Sequence, residues 1–464
     1  LQSGIFPEKW KLARITPIYK QKGSKSDPNS YRPISCLSVP AKILETCAKI
    51  QIVQFFESNR LFSSSQHGFR SSRSTTSALI SMCSTWQEAV DKKKYAGVLS
   101  FDLTSAFDAV DSTILCNKLR AYGFDTISLN WIRDYLTNRK QYVRIDSKDS
   151  LVLLLVTGSP QGSVISPVLF IIILADIDEW TQYAIIVGFA DDNCATVTGE
   201  TLSDVAQKLE SDADEILKFM ASNKLLANDS KTTFMIFGKR DRQDVKIRVG
   251  NAVIKEQDTQ KILGVHITSD LKWNTHVQNL KSKLLQRLHL MRHLGSFLPR
   301  HTLNMISDGI FNSQLRYALP LYLRPRLNGS DPMSSHLNEL QVIHNDMIRL
   351  VGGVHRRDKV NMNVLRKSLK QTSINQMLCQ ALVTETRKII QNDTVPSLKN
   401  IFMETGKSII ETCARSNSVL RAPLVKTRAM EGFATYAPKI YNQLPTEVRE
   451  SRKIEAFKNK LNAW

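Results

Sequence analysis

Apolar residues change their period several times along the chain, and each change predicts an element. Gly97-Val98-Leu99-Ser100-Phe101 is apolar almost throughout and stops at Asp102, which predicts a strand over 96–102. A second apolar run, Ala184–Val187, leads into Phe189-Ala190-Asp191-Asp192 and a further β-rich stretch. That pattern predicts a hairpin over 184–198 with two aspartates at its tip. Residues 232–238 read as another strand. Between these the period is helical. Leu115 and Leu119 lie four apart in a segment that Asp111 can cap and Gly123 can end. Val205, Leu209, Ala213, Ile216 and Met220 form a core stripe. The loop Gly158-Ser159-Pro160-Gln161-Gly162-Ser163 enters an apolar helix from Val164 to Trp180. The order over 96–240 is strand, helix, helix, strand pair, helix, strand, which predicts an α+β sheet with helices on one face.

The flanks read differently. Residues 1–87 suggest short helices around a basic loop, Lys20-Gln21-Lys22-Gly23-Ser24-Lys25, with a turn at Asp27-Pro28-Asn29-Ser30 and a helix through 41–56. Residues 125–150 hold an amphipathic piece with Trp131 and Tyr135, then a basic stretch at Arg139-Lys140. From about 275 the chain is mostly helical. Val277, Leu280, Leu284, Leu288 and Met291 make one apolar stripe, with Lys281, Lys283, Arg287 and Arg292 around it. Those cations suit a solvated helix face or a surface that tracks phosphates. Residues 415–464 are mixed, with Pro438 and Pro445 expected to break helices.

Composition narrows the partners. The chain has 464 residues, which predicts two to four subdomains, and its apolar content of 42% is that of a globular protein. The formal charge is +20. It is partitioned as +9 over residues 1–100, −6 over 101–240 and +17 over 241–464. An acidic middle between two basic segments fits metal chemistry on a bound nucleic acid. Seven scattered cysteines without a C-x-x-C pair predict reduced thiols in an intracellular protein and argue against a zinc knuckle. No signal peptide is visible. The longest apolar stretch, Val164–Ala175, is short for a membrane span and contains Pro167, so no membrane partner is expected. Leu1 is not a start methionine, so the chain is expected to begin inside a longer reading frame.

The aspartates are the strongest chemical signal. Two adjacent carboxylates repel and resist ionising together, and a divalent metal removes that cost. With Asp102 at the end of a second strand, they form the minimal frame of a two-metal phosphoryl- or nucleotidyl-transfer site. Taken alone, an Asp-Asp pair reads more readily as a solvated turn.

The motif order then resembles a reverse transcriptase. Phe101-Asp102-Leu103-Thr104-Ser105-Ala106-Phe107-Asp108-Ala109-Val110-Asp111 is similar to the first catalytic motif of that family. Ser159-Pro160-Gln161-Gly162-Ser163 with Pro167 resembles the nucleotide-and-template loop, and Phe189–Asp192 the second catalytic motif. Asn228-Asp229-Ser230-Lys231-Thr232 resembles the lysine motif, and Leu263-Gly264-Val265 with Trp273 the primer-grip segment. A finer likeness, to non-long-terminal-repeat (LINE-type) retrotransposons of the jockey and chicken-repeat branches, is carried by four blocks. They are Phe6-Pro7-Glu8-Lys9-Trp10, Tyr31-Arg32-Pro33-Ile34-Ser35, Gln66-His67-Gly68-Phe69-Arg70 and the tail from Tyr436 to Pro445.

The resemblance implies an RNA-directed DNA polymerase that copies retroelement RNA, primed on nicked target DNA, with RNA template, DNA primer and dNTPs as partners. It implies two Mg²⁺ ions, with Mn²⁺ as substitute, held by Asp102, Asp191 and Asp192 with the Leu103 carbonyl. Phe107 takes the steric-gate position. Gln161 and Gly162 lie at the incoming nucleotide, and Lys20, Lys22 and Arg32 grip its triphosphate. Arg70 and Arg73 are secondary choices for template contact. Leu263 and Gly264 position the primer, and Lys283 and Arg287 lie on the nucleic-acid face. Lys231 is either the general acid for pyrophosphate or a surface lysine.

The implied fold is a right hand. Fingers span 1–87, palm 88–112 and 155–274 with a connection over 113–154, thumb 275–350, and a C-terminal retroelement region 351–464. The implied setting is nuclear and cytoplasmic ribonucleoprotein. The competing readings are a non-catalytic RNA-binding remnant and a group II intron maturase. Oligomeric state and target site are not encoded in these motifs.

Overall fold

The computed structural model describes residues 1–104, 109–228, 231–238, 244–327, 333–391, 398, 402, 420, 432–451 and 453–463. Its centre is an antiparallel sheet in the order β10 (Thr233–Phe237), β3 (Tyr95–Thr104), β8 (Asp192–Gly199), β7 (Ile185–Phe189). The two-residue strand β9 (Leu226–Ala227) pairs with the far end of β3. The expected hairpin and both other expected strands are present.

The sheet is covered on both faces, not one as the pattern over 96–240 suggested. Leu99, Phe101, Ala195, Val197, Phe234 and Ile236 share a core with α3 (Ser112–Ala121), α4 (Thr126–Leu136), α5 (Ser166–Ile173) and α6 (Leu202–Ser222). Val98, Val187, Cys194, Met235 and Phe237 point the other way, into α2 (Thr75–Asp91) and the C-terminal helices. There Trp86 stacks on Phe237 at 4.6 Å and donates from Nε1 to Thr196 Oγ1 at 3.1 Å. The physical reason is in β3: it is apolar at successive positions, as a strand buried on both sides must be. Each large side chain buried this way contributes about 1.5–3 kcal/mol.

A second sheet, in the order β2 (Tyr31–Cys36), β1 (Leu12–Tyr19), β4 (Arg139–Ile145), β5 (Lys148–Asp149), replaces the short helices expected near the N-terminus. Pro17 and Pro33 face each other in the β1–β2 ladder. β4 adds in parallel beside β1, with Leu12 opposite Lys140. The basic stretch at 139–140 is therefore strand.

The longer expected helix at 164–180 is shorter, α5 followed by a 3-10 turn at Ile177–Glu179. The helix expected through 41–56 is α1 (Val39–Ser58). α7 (Asn274–Leu294) buries all five residues of its expected stripe in the helical core, chiefly against α11 (Ser335–Gly352) and also against α8 (Arg300–Ser307); α13 (Ile374–Gln391) belongs to the same core. Pro438 sits inside the helix Phe433–Tyr441 without ending it, whereas Pro445 precedes the next helix, Thr446–Arg449. Among the described residues, no helix is long and apolar enough to cross a membrane, and the six described cysteines are all free.

Candidate active site

The strand register brings the acidic residues together. Asp102 of β3 lies opposite Asp192 of β8. Asp192 also closes the β7–β8 hairpin against Phe189, leaving Ala190 and Asp191 as a two-residue turn. β9 holds the other side of β3: Leu103 pairs with Ala227, and the Asn228 amide donates to the Asp102 carbonyl at 2.9 Å. The chain then turns, and Lys231 comes back so that its ammonium donates to Asp102 Oδ2. Asp229 and Ser230 of the lysine motif, and Phe107 of the first motif, lie outside the described residues.

Electrostatics follow from this crowding. Asp192 keeps an exposed edge, but its inner side is shielded by the sheet. That shielding first, then the Asp191 and Asp102 charges, raise its carboxyl above the usual range, while Lys231 opposes the rise. A cleft of about 460 Å³ opens here, lined among others by Asp102, Asp192, Lys231, Lys261, Leu263 and Gly264. Its acidic donors are hard oxygens, and Cys194, which also lines the cleft, is buried, which pushes its thiol pKa up to about 12, so the set suits Mg²⁺ or Mn²⁺ better than zinc. Among the described residues, no three acidic, histidine or cysteine side chains converge as a finished metal cage. The fit to a divalent ion is thus one of donor type, register and excess negative charge, with the Lys231 ammonium now serving as counter-charge.

The primer-grip segment does reach this cleft. Leu263 and Gly264 form the tight turn between β13 (Thr259–Ile262) and β14 (Val265–Thr268), at φ +45° and +81°. Tyr317 clasps it from the helical region by donating its hydroxyl to the Leu263 carbonyl. Lys283 lines an adjoining cleft with Lys261, His266, His276 and Tyr317. Arg287 sits half-buried one turn further along α7. Lys261 and Tyr317 carry no sequence signal that distinguishes them, and were missed.

The nucleotide loop is anchored elsewhere. The Gln161 carbonyl accepts from Ser35 N at 2.6 Å. Gly162 has φ +115°, and a Cβ there would lie 2.6 Å from the Ser35 carbonyl, so only glycine fits. Gln161 and Gly162 therefore lie against β2 and do not line the acidic cleft. Lys20, Lys22 and Arg32 are exposed on the β1–β2 hairpin, where Lys20 Nζ donates to the Asn29 carbonyl at 3.0 Å.

Arg70 and Arg73 are corrected. Each is only 9% exposed. Arg70 pairs with Glu57, Nη2 to Oε2 at 2.6 Å, and donates to the Ser63 carbonyl at 2.6 Å. Arg73 donates to the carbonyls of Ser64 and Gln66 at 2.6 and 2.9 Å. Burial, with Arg70 alongside, lowers the Arg73 pKa to about 9. Both guanidinium groups stitch the loop between α1 and α2, with their hydrogen bonds directed to Glu57 and to loop carbonyls. Their charge suggested a surface role because sequence does not show which carbonyls a loop turns inward.

Comparison with known proteins gives the family. The chain belongs to the reverse transcriptase (RNA-dependent DNA polymerase) family, whose profile matches residues 20–267. It is similar to the probable RNA-directed DNA polymerase from transposon X-element of Drosophila melanogaster, 26% identical over 75% of this chain and 38% of that protein. It is also similar to the RNA-directed DNA polymerase from mobile element jockey of the same species, 24% identical over 76% of this chain and 39% of that protein. The chain therefore spans under two-fifths of the length of these relatives. A solved apo telomerase from Candida tropicalis overlays 85% of this chain and 70% of its own with a TM-score of 0.41 at 12% identity. The mixed helix-and-sheet architecture is that expected from the motifs, and enzymes of this family generally use divalent metal ions.

Proposed function

We propose that this chain is the polymerase part of a non-long-terminal-repeat retroelement protein, and that it copies retroelement RNA into DNA from the 3′-hydroxyl of nicked target DNA. The observation that carries the reading is the register of Asp102 with Asp192, with Asp191 beside them and Lys231 across the same cleft. In this reading the sheet of β3, β7, β8 and β10 is the palm (88–112 and 155–274). Fingers span 1–87, the connection 113–154, the thumb 275–350 and the retroelement tail 351–464. Partners are template RNA, primer DNA and dNTPs, in a ribonucleoprotein of nucleus and cytoplasm.

Asp102, Asp191 and Asp192, with the Leu103 carbonyl, hold two Mg²⁺ ions, for which Mn²⁺ substitutes. When bound, the ions supply activation of the primer 3′-hydroxyl and neutralise the triphosphate and the leaving pyrophosphate. The protein's own groups do the rest. Lys20, Lys22 and Arg32 bind triphosphate oxygens, Arg32 as a bidentate fork. Gln161 and Gly162 meet the nucleotide when the β1–β2 hairpin and its docked loop close over the cleft. Leu263 and Gly264 set the primer end, and Lys283 and Arg287 neutralise backbone phosphates. Lys231 delivers its proton to pyrophosphate, its position on Asp102 keeping the ammonium at the reacting centre.

Phe107 excludes a ribose 2′-hydroxyl. Phe107→Val is therefore expected to raise ribonucleotide incorporation relative to deoxynucleotide by at least about ten-fold, a range that one misfitted group in a pocket supports. Competition assays with dCTP and CTP read this directly, and unchanged sugar discrimination would remove Phe107 from the role. The reading as a whole is tested by incorporation of labelled dTTP on poly(rA)/oligo(dT) with Mg²⁺. Template- and metal-dependent incorporation is expected. Salt-sensitive RNA binding without any incorporation would make the chain a binding remnant instead.

A further inference from the structure

The turn that carries the acidic pair is strained. Ala190, immediately before Asp191, has φ +62°. A left-handed conformation costs a residue with a Cβ about 1–2 kcal/mol, and persists only where surrounding contacts over-determine it. Those contacts come from the loop between α1 and α2, more than a hundred residues earlier in the chain. Gln66 Oε1 accepts from the Ala190 amide at 3.1 Å and from the Gly68 amide at 2.8 Å. The backbones pair in both directions: His67 N donates to the Gly188 carbonyl at 2.7 Å, and Gly188 N to the Ser65 carbonyl at 3.1 Å. On the inner side of the turn, Asn193 Nδ2 donates to the Asp191 carbonyl at 3.1 Å.

The approach is so close that Gly68 meets backbone and Gly188 meets the ends of the Asn193 and Gln66 side chains. A Cβ on Gly68 would lie 2.4 Å from the Ala190 nitrogen, and one on Gly188 would lie 2.9 Å from Gln66 Nε2. Gln66 itself is 5% exposed, and its own carbonyl is held by Arg73 and Arg70. The two arginines corrected above thus belong to the same cradle: they fix Gln66, and Gln66 fixes the turn.

We propose that Gln66 is a positioning residue for the catalytic carboxylates, its side-chain oxygen setting the strained Ala190 turn from which Asp191 and Asp192 project. The proposal rests on the reading of those aspartates as metal ligands. It differs from a general stabilising role, because the two accepted hydrogen bonds end on the turn and on its contacting glycine. Supporting groups one step behind a metal ligand typically carry about 10–100-fold in metal affinity or activity.

Three variants separate the possibilities. Gln66→Met keeps length and removes the acceptor. Gln66→Glu keeps an acceptor for both amides. Gly68→Ala leaves Gln66 intact but drives a Cβ into the turn. Mn²⁺ binding is titrated by electron paramagnetic resonance on the full chain without substrate, beside the template–primer dissociation constant and steady-state rates. Gln66→Met and Gly68→Ala are expected to lose at least about ten-fold in Mn²⁺ affinity and in kcat, with template–primer affinity, KM for dTTP and circular dichroism close to the parent's. Gln66→Glu is expected to retain Mn²⁺ affinity. Parental Mn²⁺ affinity and kcat in Gln66→Met would overturn the proposal. So would a parallel fall of metal binding, template–primer binding and folded signal in both Gln66→Met and Gly68→Ala, which would make the loop a general stabiliser. An Asp191→Ala/Asp192→Ala control that binds Mn²⁺ like the parent would instead overturn the metal reading beneath it.

Discussion

Asp102→Asn is expected to lower single-turnover nucleotide addition by at least about 10³-fold, the loss that follows removal of a principal electrostatic stabiliser in an active site. The change is nearly isosteric and leaves the backbone untouched. Asp102 remains paired with Asp192 in the β3–β8 ladder, and its carbonyl still accepts from Asn228 N. What disappears is one negative charge and one hard anionic oxygen at the point where Lys231 now supplies the opposite charge. The fold is therefore expected to survive, and RNA affinity to hold or rise slightly, because a repulsive charge has left the cleft. Rapid-quench measurement of the first addition, beside RNA binding by the same preparation, checks both halves. A near-parental rate would mean that Asp102 is a strand residue paired with Lys231 and no ligand.

The second large effect is on stability. Glu45, on α1, is fully buried beneath the nucleotide loop. Its Oε2 accepts from Ser163 Oγ at 2.9 Å and from Val164 N at 2.7 Å. Tyr135 donates to Oε1 at 3.3 Å and meets Ser163 Oγ at 2.7 Å. Arg139, 1% exposed, lies over the Tyr135 ring at 4.9 Å and donates to the Tyr135 carbonyl at 3.0 Å. Burial lowers the Arg139 pKa, with Tyr135 and Glu45 offsetting part of that cost.

Glu45→Leu would fill the same space and strip this network of its acceptor. Val164 N loses its partner, and the Arg139 charge loses its counterpart. Breaking a buried charge network from one side costs about 3–5 kcal/mol. We expect the urea midpoint to fall accordingly with little change in slope, and Glu45→Gln, which keeps an acceptor oxygen, to lose less. Parental stability in Glu45→Leu would show that the network contributes nothing net, as some buried ionic clusters do.

The catalytic frame was legible because its signals are local. The apolar run that stops at Asp102 marks β3, and the run that leads into Phe189 marks β7, whose tight hairpin to β8 carries the adjacent Asp191 and Asp192. Register did the rest, since antiparallel pairing of β3 with β8 leaves Asp102 opposite Asp192. The second sheet was not legible. β1 pairs with β4 across more than a hundred residues, and Pro17 and Pro33 disguise both strands as turns. The α2 face of the central sheet was missed although α2 buries Leu79, Ile80, Met82 and Trp86, because a helix's own pattern does not show which sheet face it meets.

The arginines show a different limit. Arg70 and Arg73 have the composition of a phosphate site, but their destinations are the Glu57 carboxylate and the carbonyls of Ser63, Ser64 and Gln66. Whether a carbonyl points inward is decided by backbone torsions such as φ +58° at Phe69 and +62° at Ser72, which no side-chain pattern records. Gln66 was visible only as part of a family block. The role proposed for it rests on the Ala190 amide, which takes its acceptor from outside the hairpin.

The central claim is that this cleft performs RNA-templated DNA synthesis through its three carboxylates. The measurement that tests it most directly is primer extension on poly(rA)/oligo(dT) with dTTP and Mg²⁺, run for the parent and for Asp191→Ala/Asp192→Ala at matched RNA binding. Extension by the parent and none by the double variant is the predicted result. Equal extension by both would contradict the claim, because the acidic turn at the tip of β7–β8 would then have no part in the chemistry.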